Sequence, residues 1–374
     1  MVIIVIIIGA LVMNYALVKI YGHLWGKNLD AQVEFQKEPS LEGRDAMLTE
    51  TIYNRKWLFL PVLQVGFQMH RNLWFADGEN TSVSDQCYKR DIFSVGGYQK
   101  ITRTIPFHCS KRGYYELSQV ELVTRSPLMN KKFYKTLESP DHFYVYPRMV
   151  DDTKLEIPFQ KIMGSVLSHK NLYEDPFEFR GIREYQPTDP MHKINWKVSA
   201  RTDQWMVNLY DSTSAQEVMI LLDVEDETIW KFDEIHEEGI RLAAALASRL
   251  LQQGIPVGIR TNGRDLKSDE CFSLNGGTGP QQVRSLYEGL TRLDLTKKAE
   301  HMEVILDRLR EEKENGNRTY VMISKNQRES CHEGFDSLLQ DGGTGAWIAT
   351  LYDDMEWKSP ENWKVTTIRW EVAK

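Results

Sequence analysis

"EVMILLDVE", residues 217–225, runs apolar from Val218 to Leu222 and ends in acids. A strand that hides both faces reads this way, because neither alternate position can be polar. The next stretch, "WKFDEIHEEGIRLAAALASRLLQQG" at 230–254, has helical periodicity, with Phe232, Ile235, Leu242, Leu246 and Leu250 on one side and Gly254 as its stop. The same alternation continues downstream. "IPVGIRT", "TYVMIS" and "AWIATLY" read as strands, and the residues from Pro280, from Ala299 and from Glu329 read as helices, the first opened by its proline. Strand and helix in turn predict a Rossmann-type α/β domain over 217–374, a parallel sheet covered on both faces.

Upstream the pattern changes. "AMLTETIYNRKWLFLPVLQVGFQM" (46–69) and "QKITRTIPFHCSKRGYYELSQVELVTRS" (99–126) alternate apolar and polar residues between turn signals such as Arg112-Gly113. This predicts an antiparallel β sandwich, immunoglobulin-like, over 29–150. Residues 151–216 read as an irregular connecting segment.

The chain opens with "MVIIVIIIGALVMNYALVKIYGHLW", uncharged through Val18 and with Asn14 as its one strongly polar residue up to that point. Its length meets the requirement of a bilayer core, and it has neither the basic start nor the small-residue cleavage site of a secretory signal. A transmembrane anchor over 1–28 is expected, with Tyr15, Tyr21 and Trp25 as interfacial aromatics. Lys19, His23 and Lys27 follow the apolar run and nothing basic precedes it, so a single-pass protein of the cell membrane with its bulk facing the cytoplasm is expected. A net charge of −7 argues against nucleic acid as a partner. Cys87, Cys109, Cys271 and Cys331 form no CxxC pair, and reduced thiols agree with the cytoplasmic side.

Between the two domains lies "FRGIREYQPTDPMHKINWKVSARTDQ", residues 179–204. Gly181, Arg183, Tyr185, Asp189, Pro190, Ile194, Trp196, Ser199, Ala200 and Arg201, followed by Leu221, Leu222 and Asp223, resemble the bacterial family called "domain of unknown function 58". Thr188, His192 and Asn195 depart from its usual residues. The resemblance implies a membrane-anchored chain with a von Willebrand A-like α/β domain, and a MoxR-type AAA ATPase as partner; it implies no activity. From the residues themselves, Asp189 and Pro190 suit the N-cap and first position of a short helix through Ala200, although Ile194, Trp196, Val198 and Ala200 also alternate as a strand does. Arg183 and Arg201 can each present a bidentate fork to Asp189, Glu184 or Asp223. A structural clasp with Trp196 buried, and a docking surface for a partner, are both compatible with the segment. His192, Lys193 and Lys197 are expected on its exposed side.

A Mg²⁺-binding von Willebrand A domain carries D-x-S-x-S, a later threonine and a second aspartate. Here the first motif is Asp223-Val-Glu225-Asp-Glu227, Thr278 stands as the later threonine, and Ser324-Lys325 replace the aspartate. Asp223, Glu225 and Thr278 are therefore the candidates for a metal, and no cofactor is the primary expectation. "NGGTGP" lacks the lysine of a phosphate loop and reads as a turn in which glycine supplies positive φ. A hydrolase would need more than Ser199 and His192, since no G-x-S-x-G elbow and no orienting acid accompany them. A protein-interaction scaffold is the leading expectation, ahead of a Mg²⁺-dependent ligand-binding module and then a hydrolase.

Overall fold

The computed structural model describes residues 2–75, 80–172, 179–186, 189, 191, 194–210, 217–312, 318–340, 343–358, 360, 363 and 365–373. Two compact units divide the chain, residues 1–148 and 149–374.

The first unit begins with α1 (Val2–Leu24), a helix long and apolar enough to cross a membrane. Strands β1 (Leu29–Phe35), β2 (Ser40–Leu41), β3 (Asp45–Asn54), β4 (Leu60–His70), β5 (Leu73–Trp74), β6 (Thr81–Val83), β7 (Gln86–Val95), β8 (Lys100–Cys109), β9 (Gly113–Arg125) and β10 (Lys132–Tyr146) follow. They form two sheets, ordered β1-β3-β8-β5 and β2-β10-β9-β4-β7-β6. Alternation sets the inner faces: along β3, Ala46, Leu48, Ile52 and Asn54 point in, and Glu50 points in with them. The core includes Phe35, Phe107 and Phe143, whose rings meet at centroid separations of 5.2–5.7 Å.

Two expectations change here. Tyr21 and Trp25 are not interfacial aromatics; both are buried in this core, with ring centroids 6.1 and 6.3 Å from that of Phe133. The anchor expected over 1–28 therefore ends inside the β unit. The outer edge of β1 is closed by side chains of β10, whose register shifts between Glu138 and Asp141. Ser139 Oγ lies 3.2 Å from both Val33 N and Val33 O, and Asp141 Oδ2 accepts from Phe35 N at 2.6 Å.

The second unit opens with α2 (Asp152–Leu172), a helix where an irregular connection was expected. After β11 (Phe179–Glu184), α3 (Trp196–Thr202) and β12 (Met206–Tyr210) come β13 (Glu217–Leu222), α4 (Asp233–Gln252), β14 (Val257–Arg264), β15 (Cys271–Gly277), α5 (Pro280–Thr291), α6 (Met302–Glu311), β16 (Arg318–Ser324), α7 (Glu329–Gln340), β17 (Thr344–Tyr352) and β18 (Thr366–Val372). The sheet order is β15-β14-β13-β16-β17-β18, parallel except for β15. Met302, Leu306, Phe335 and Leu338 of α6 and α7 join Met219, Leu221, Met322 and Trp347 in one core cluster. On α4, Gly239 lies close to the sheet, where an added Cβ would meet Leu222 Cδ1 at 3.5 Å and Ile323 Cγ2 at 3.6 Å. Helix α2 is tied to α4 by the Glu156–Arg249 ion pair, and the Arg249 guanidinium stands 4.4 Å from the centroid of Phe159.

Candidate functional site

Two groups of side chains in the second unit carry chemistry. The first is the segment 181–206. Strands β11 and β12 pair antiparallel, with Arg183 opposite Val207. Arg183 forks onto Asp189 through two 2.7 Å bonds, Nη1 to Oδ2 and Nη2 to Oδ1. Asp189 Oδ2 also accepts from Gln186 N at 2.8 Å, so the aspartate fastens the turn and does not cap a helix. Helix α3 starts later than expected, at Trp196, because Asn195 caps it: its Oδ1 accepts from Val198 N at 3.1 Å.

Ser199 is buried, donates to Asn195 O at 2.8 Å and accepts from Met206 N at 2.9 Å, which joins α3 to β12. Ile194 and Val207 complete the inner side. Trp196 is the correction. It is 62% exposed, at the outer face of the first turn of α3, and not a buried clasp. Trp205 is 54% exposed and meets Tyr185 edge to face with centroids 5.3 Å apart. Lys197 and Arg201 are exposed, and Gly181 has open space around it. The placements expected of Thr188, Pro190, His192 and Lys193 lie outside the described residues.

The second group sits at the carboxyl end of β13. Asp223 is buried, and donors take both of its oxygens. Oδ1 accepts from Asn262 Nδ2 at 2.7 Å and from Glu225 N at 2.9 Å, and Oδ2 accepts from Ser324 Oγ at 2.6 Å. Glu225 lies 2.7 Å from His301 Nδ1 and accepts from Arg328 Nη2 at 2.5 Å. The same Nη2 reaches Glu303 at 3.2 Å. Burial works against the charge on Arg328, but Glu225 and Glu303 outweigh it and raise the pKa further. Asp226 behaves comparably: burial opposes ionisation, yet His236 at 2.8 Å and Lys325 at 3.2 Å hold its carboxyl below the usual range.

Does this fit Mg²⁺? Glu225, His301 and Glu303 offer ligand atoms within 4.8 Å of one another. The guanidinium of Arg328 already bridges the two carboxylates, however, and the oxygens of Asp223 face hydrogen-bond donors. Thr278 is at the wrong end of the sheet. It follows Gly277, which pairs with Val257 at the start of antiparallel β15's partner β14, whereas Asp223 follows Leu222, paired with Thr261 further along. The residues present do not fit a divalent site. Of "NGGTGP", Asn275–Gly277 belong to β15 and not to a turn, and the positive φ is supplied by Gly279 alone, at +86°. His301, Glu303 and Arg328 were not singled out as a group by the sequence, since nothing in their spacing shows that the start of α6 and the loop before α7 converge on Glu225.

Comparison with protein families finds one match: residues 181–363 fit the family described as "Protein of unknown function DUF58". No curated protein matches. Among solved structures, an aerotolerance-related membrane protein from Bacteroides fragilis is 16% identical, covering 40% of this chain and 75% of that one, at a TM-score of 0.29. The CARDB domain of a Pyrococcus furiosus protein, in complex with di-metal ions, is 14% identical over 33% of this chain and 90% of its own, at 0.20. A non-cellulosomal cohesin from Archaeoglobus fulgidus is 11% identical over 34% and 97%, at 0.20. At such scores none of the three carries an argument about this chain.

Proposed function

Since the chain belongs, through residues 181–363, to the DUF58 family, we propose that it is a membrane-associated protein-binding module. The 181–206 segment is the docking surface, and a MoxR-type AAA ATPase is the partner that the family resemblance suggests. One observation carries this reading: Trp196 and Trp205 are exposed on a segment whose own fastening uses other residues, namely Arg183, Asp189, Asn195 and Ser199. Tryptophan is enriched in interface hot spots, and exposed aromatics held on a rigid support lose little entropy when covered.

The α/β unit is read as von Willebrand A-like. Its strand order, numbered within the sheet as 3-2-1-4-5-6 with an antiparallel third strand, supports that reading. The module works without a divalent ion, because Arg328 supplies the positive charge beside Glu225. The alternative, a Mg²⁺-dependent ligand-binding module, would need that arginine to leave. Helix α1 serves as a single-pass anchor in the cell membrane, with the lysines after it favouring the cytoplasmic side for the bulk of the chain.

The test is co-purification from native membranes with the full chain as bait. The AAA ATPase should be recovered with the parent and lost with Trp196→Ala/Trp205→Ala. The double variant should melt within about a degree of the parent, as surface changes usually do. A melt lowered by many degrees with capture retained would return Trp196 to a structural role and overturn the docking surface.

A further inference from the structure

Resting on the reading of α1 as a membrane anchor, we propose that the β9–β10 hairpin tip, residues 126–131, enters the same leaflet as α1, and that the groove between them holds an anionic phospholipid. The argument begins with where α1 stops being free. Ile3–Met13 is exposed on every side. From there Asn14, Val18, Tyr21, Gly22 and Trp25, which recur on one helical face, turn toward the β unit. At Gly22 the approach is close enough that a Cβ would stand 2.5 Å from Phe133 Cε1. At the upper end of this face, Asn130 Nδ2 lies 3.5 Å from Asn14 Oδ1.

The part of α1 apolar enough to cross a membrane is Ile3–Leu24, 22 residues, roughly 33 Å at 1.5 Å per residue. A hydrocarbon core is about 30 Å thick. The second half of that candidate span is the stretch against which the hairpin lies.

The hairpin suits that depth. Leu128 and Met129 at its tip are 60% and 50% exposed. Three hydrogen bonds close the turn: Ser126 N donates to Lys131 O at 2.9 Å, Met129 N to Ser126 O at 2.8 Å, and Lys131 N to Ser126 Oγ at 3.2 Å. Bonds made within the turn reduce the cost of removing it from water. Beside the tip is a groove of about 630 Å³, with Leu11, Tyr15 and Val18 on the helix side and Lys131 and Phe133 on the hairpin side; Lys19 also lines it. An acyl chain matches the apolar side chains. A headgroup phosphate matches the two lysines, whose long stems let the ammonium groups stay at the interface.

The experiment uses the full chain reconstituted into vesicles of equal parts phosphatidylcholine and phosphatidylglycerol. An environment-sensitive fluorophore is attached at Leu128→Cys, with Cys271, the native cysteine that is not buried, changed to serine. The proposal expects blue-shifted emission that is quenched by lipids labelled in the upper acyl chain. The same probe at Glu116→Cys, near the other end of β9, should report water. Lys19→Ala/Lys131→Ala should remove any preference for phosphatidylglycerol over pure phosphatidylcholine in that quenching. A chain that floats with the vesicles while the probe at position 128 stays in water overturns the hairpin insertion and leaves the anchor standing. Quenching with no headgroup preference overturns the anionic-lipid assignment. A chain that fails to float defeats the anchor itself, and the proposal with it.

Discussion

Asp223 and Glu50 are both carboxylates buried at the centre of their units, one at a strand end and the other in mid-strand. Asp223 is met by three donors, and Glu225 beside it is met by His301 and Arg328. Glu50 is 1% exposed, and neither of its oxygens has a hydrogen-bond partner among the described residues. Asp91 lies in the same core and takes the cations: Arg103 Nη1 stands 3.2 Å from it, and buried Lys89 stands 3.8 Å from it and 4.7 Å from the ring centre of Phe75. Burial, and then Asp91, push the pKa of Glu50 up to about 7, against the pull of Arg103 and Lys89. Burying an acid is thus compatible with opposite outcomes, and the supply of donors decides which.

The largest expected break in this comparison is Asp223→Ala. It strands Asn262 Nδ2 and the Ser324 hydroxyl inside the unit and should cost about 2–6 kcal/mol in a denaturant melt, at about 1–3 per unsatisfied group. The parent should melt at the same temperature in EDTA and in millimolar Mg²⁺. A large Mg²⁺ stabilisation lost in the variant would make Asp223 a metal ligand after all.

Next comes Glu50→Gln. In the unfolded chain Glu50 ionises near its ordinary pKa of 4.5, and in the folded chain only near 7. Between those values the unfolded state alone sheds the proton, so this group's contribution to stability falls as pH rises through the window. It then remains lower by roughly 3 kcal/mol. The glutamine variant should gain on the parent by that amount from pH 4.5 to 8, read as the difference between two stability–pH curves. Parallel curves would show that Glu50 finds a partner when ionised.

The smallest effect, roughly 2 kcal/mol, is expected for Arg328→Ala, which removes charge-assisted bonds to Glu225 and Glu303. This variant, unlike the parent, should be stabilised by millimolar Mg²⁺, since its three potential ligands lose their resident cation. Equal insensitivity of both proteins would mean that the carboxylates are set too far apart or too poorly oriented to hold the ion.

Much of the second unit was legible because its signals are local. The apolar run at 218–222, Pro280 at a helix start and Gly254 past a helix end each act on the nearest few residues. What was missed depends on direction or depth. The direction of β15 is not written in "CFSLNGG", and with it reversed Thr278 goes to the opposite end of the sheet. Large aromatic side chains bury area well, which argues for a core position of Trp196, but a seven-residue helix capped by Asn195 buries Ile194, Val207 and Ser199 instead. Helix α2 was hidden by Pro158, seven residues in, and by a mixed composition without a clear apolar stripe. The case of Glu50 is different again. The alternation Ala46, Leu48, Glu50, Ile52 already placed it on the inward face, and only its acidity argued against believing the pattern.

The borders of the two β sheets in the first unit have a consequence for life at high local density. A chain held on a membrane meets its copies in two dimensions, where an open strand border would recruit a neighbour and extend the sheet from molecule to molecule. Among the described residues, β5 pairs with β8 only at His108 and Cys109, β2 with β10 only at Val145 and Tyr146, and β6 with β7 only over Cys87–Lys89, so these short strands leave most of the outer edges behind them without a paired strand. The remaining border, β1, is seven residues long, and Ser139 and Asp141 from the β10 irregularity occupy backbone groups that a foreign strand would need. That border is therefore the one where side chains of the chain itself stand in the way of a neighbour's strand.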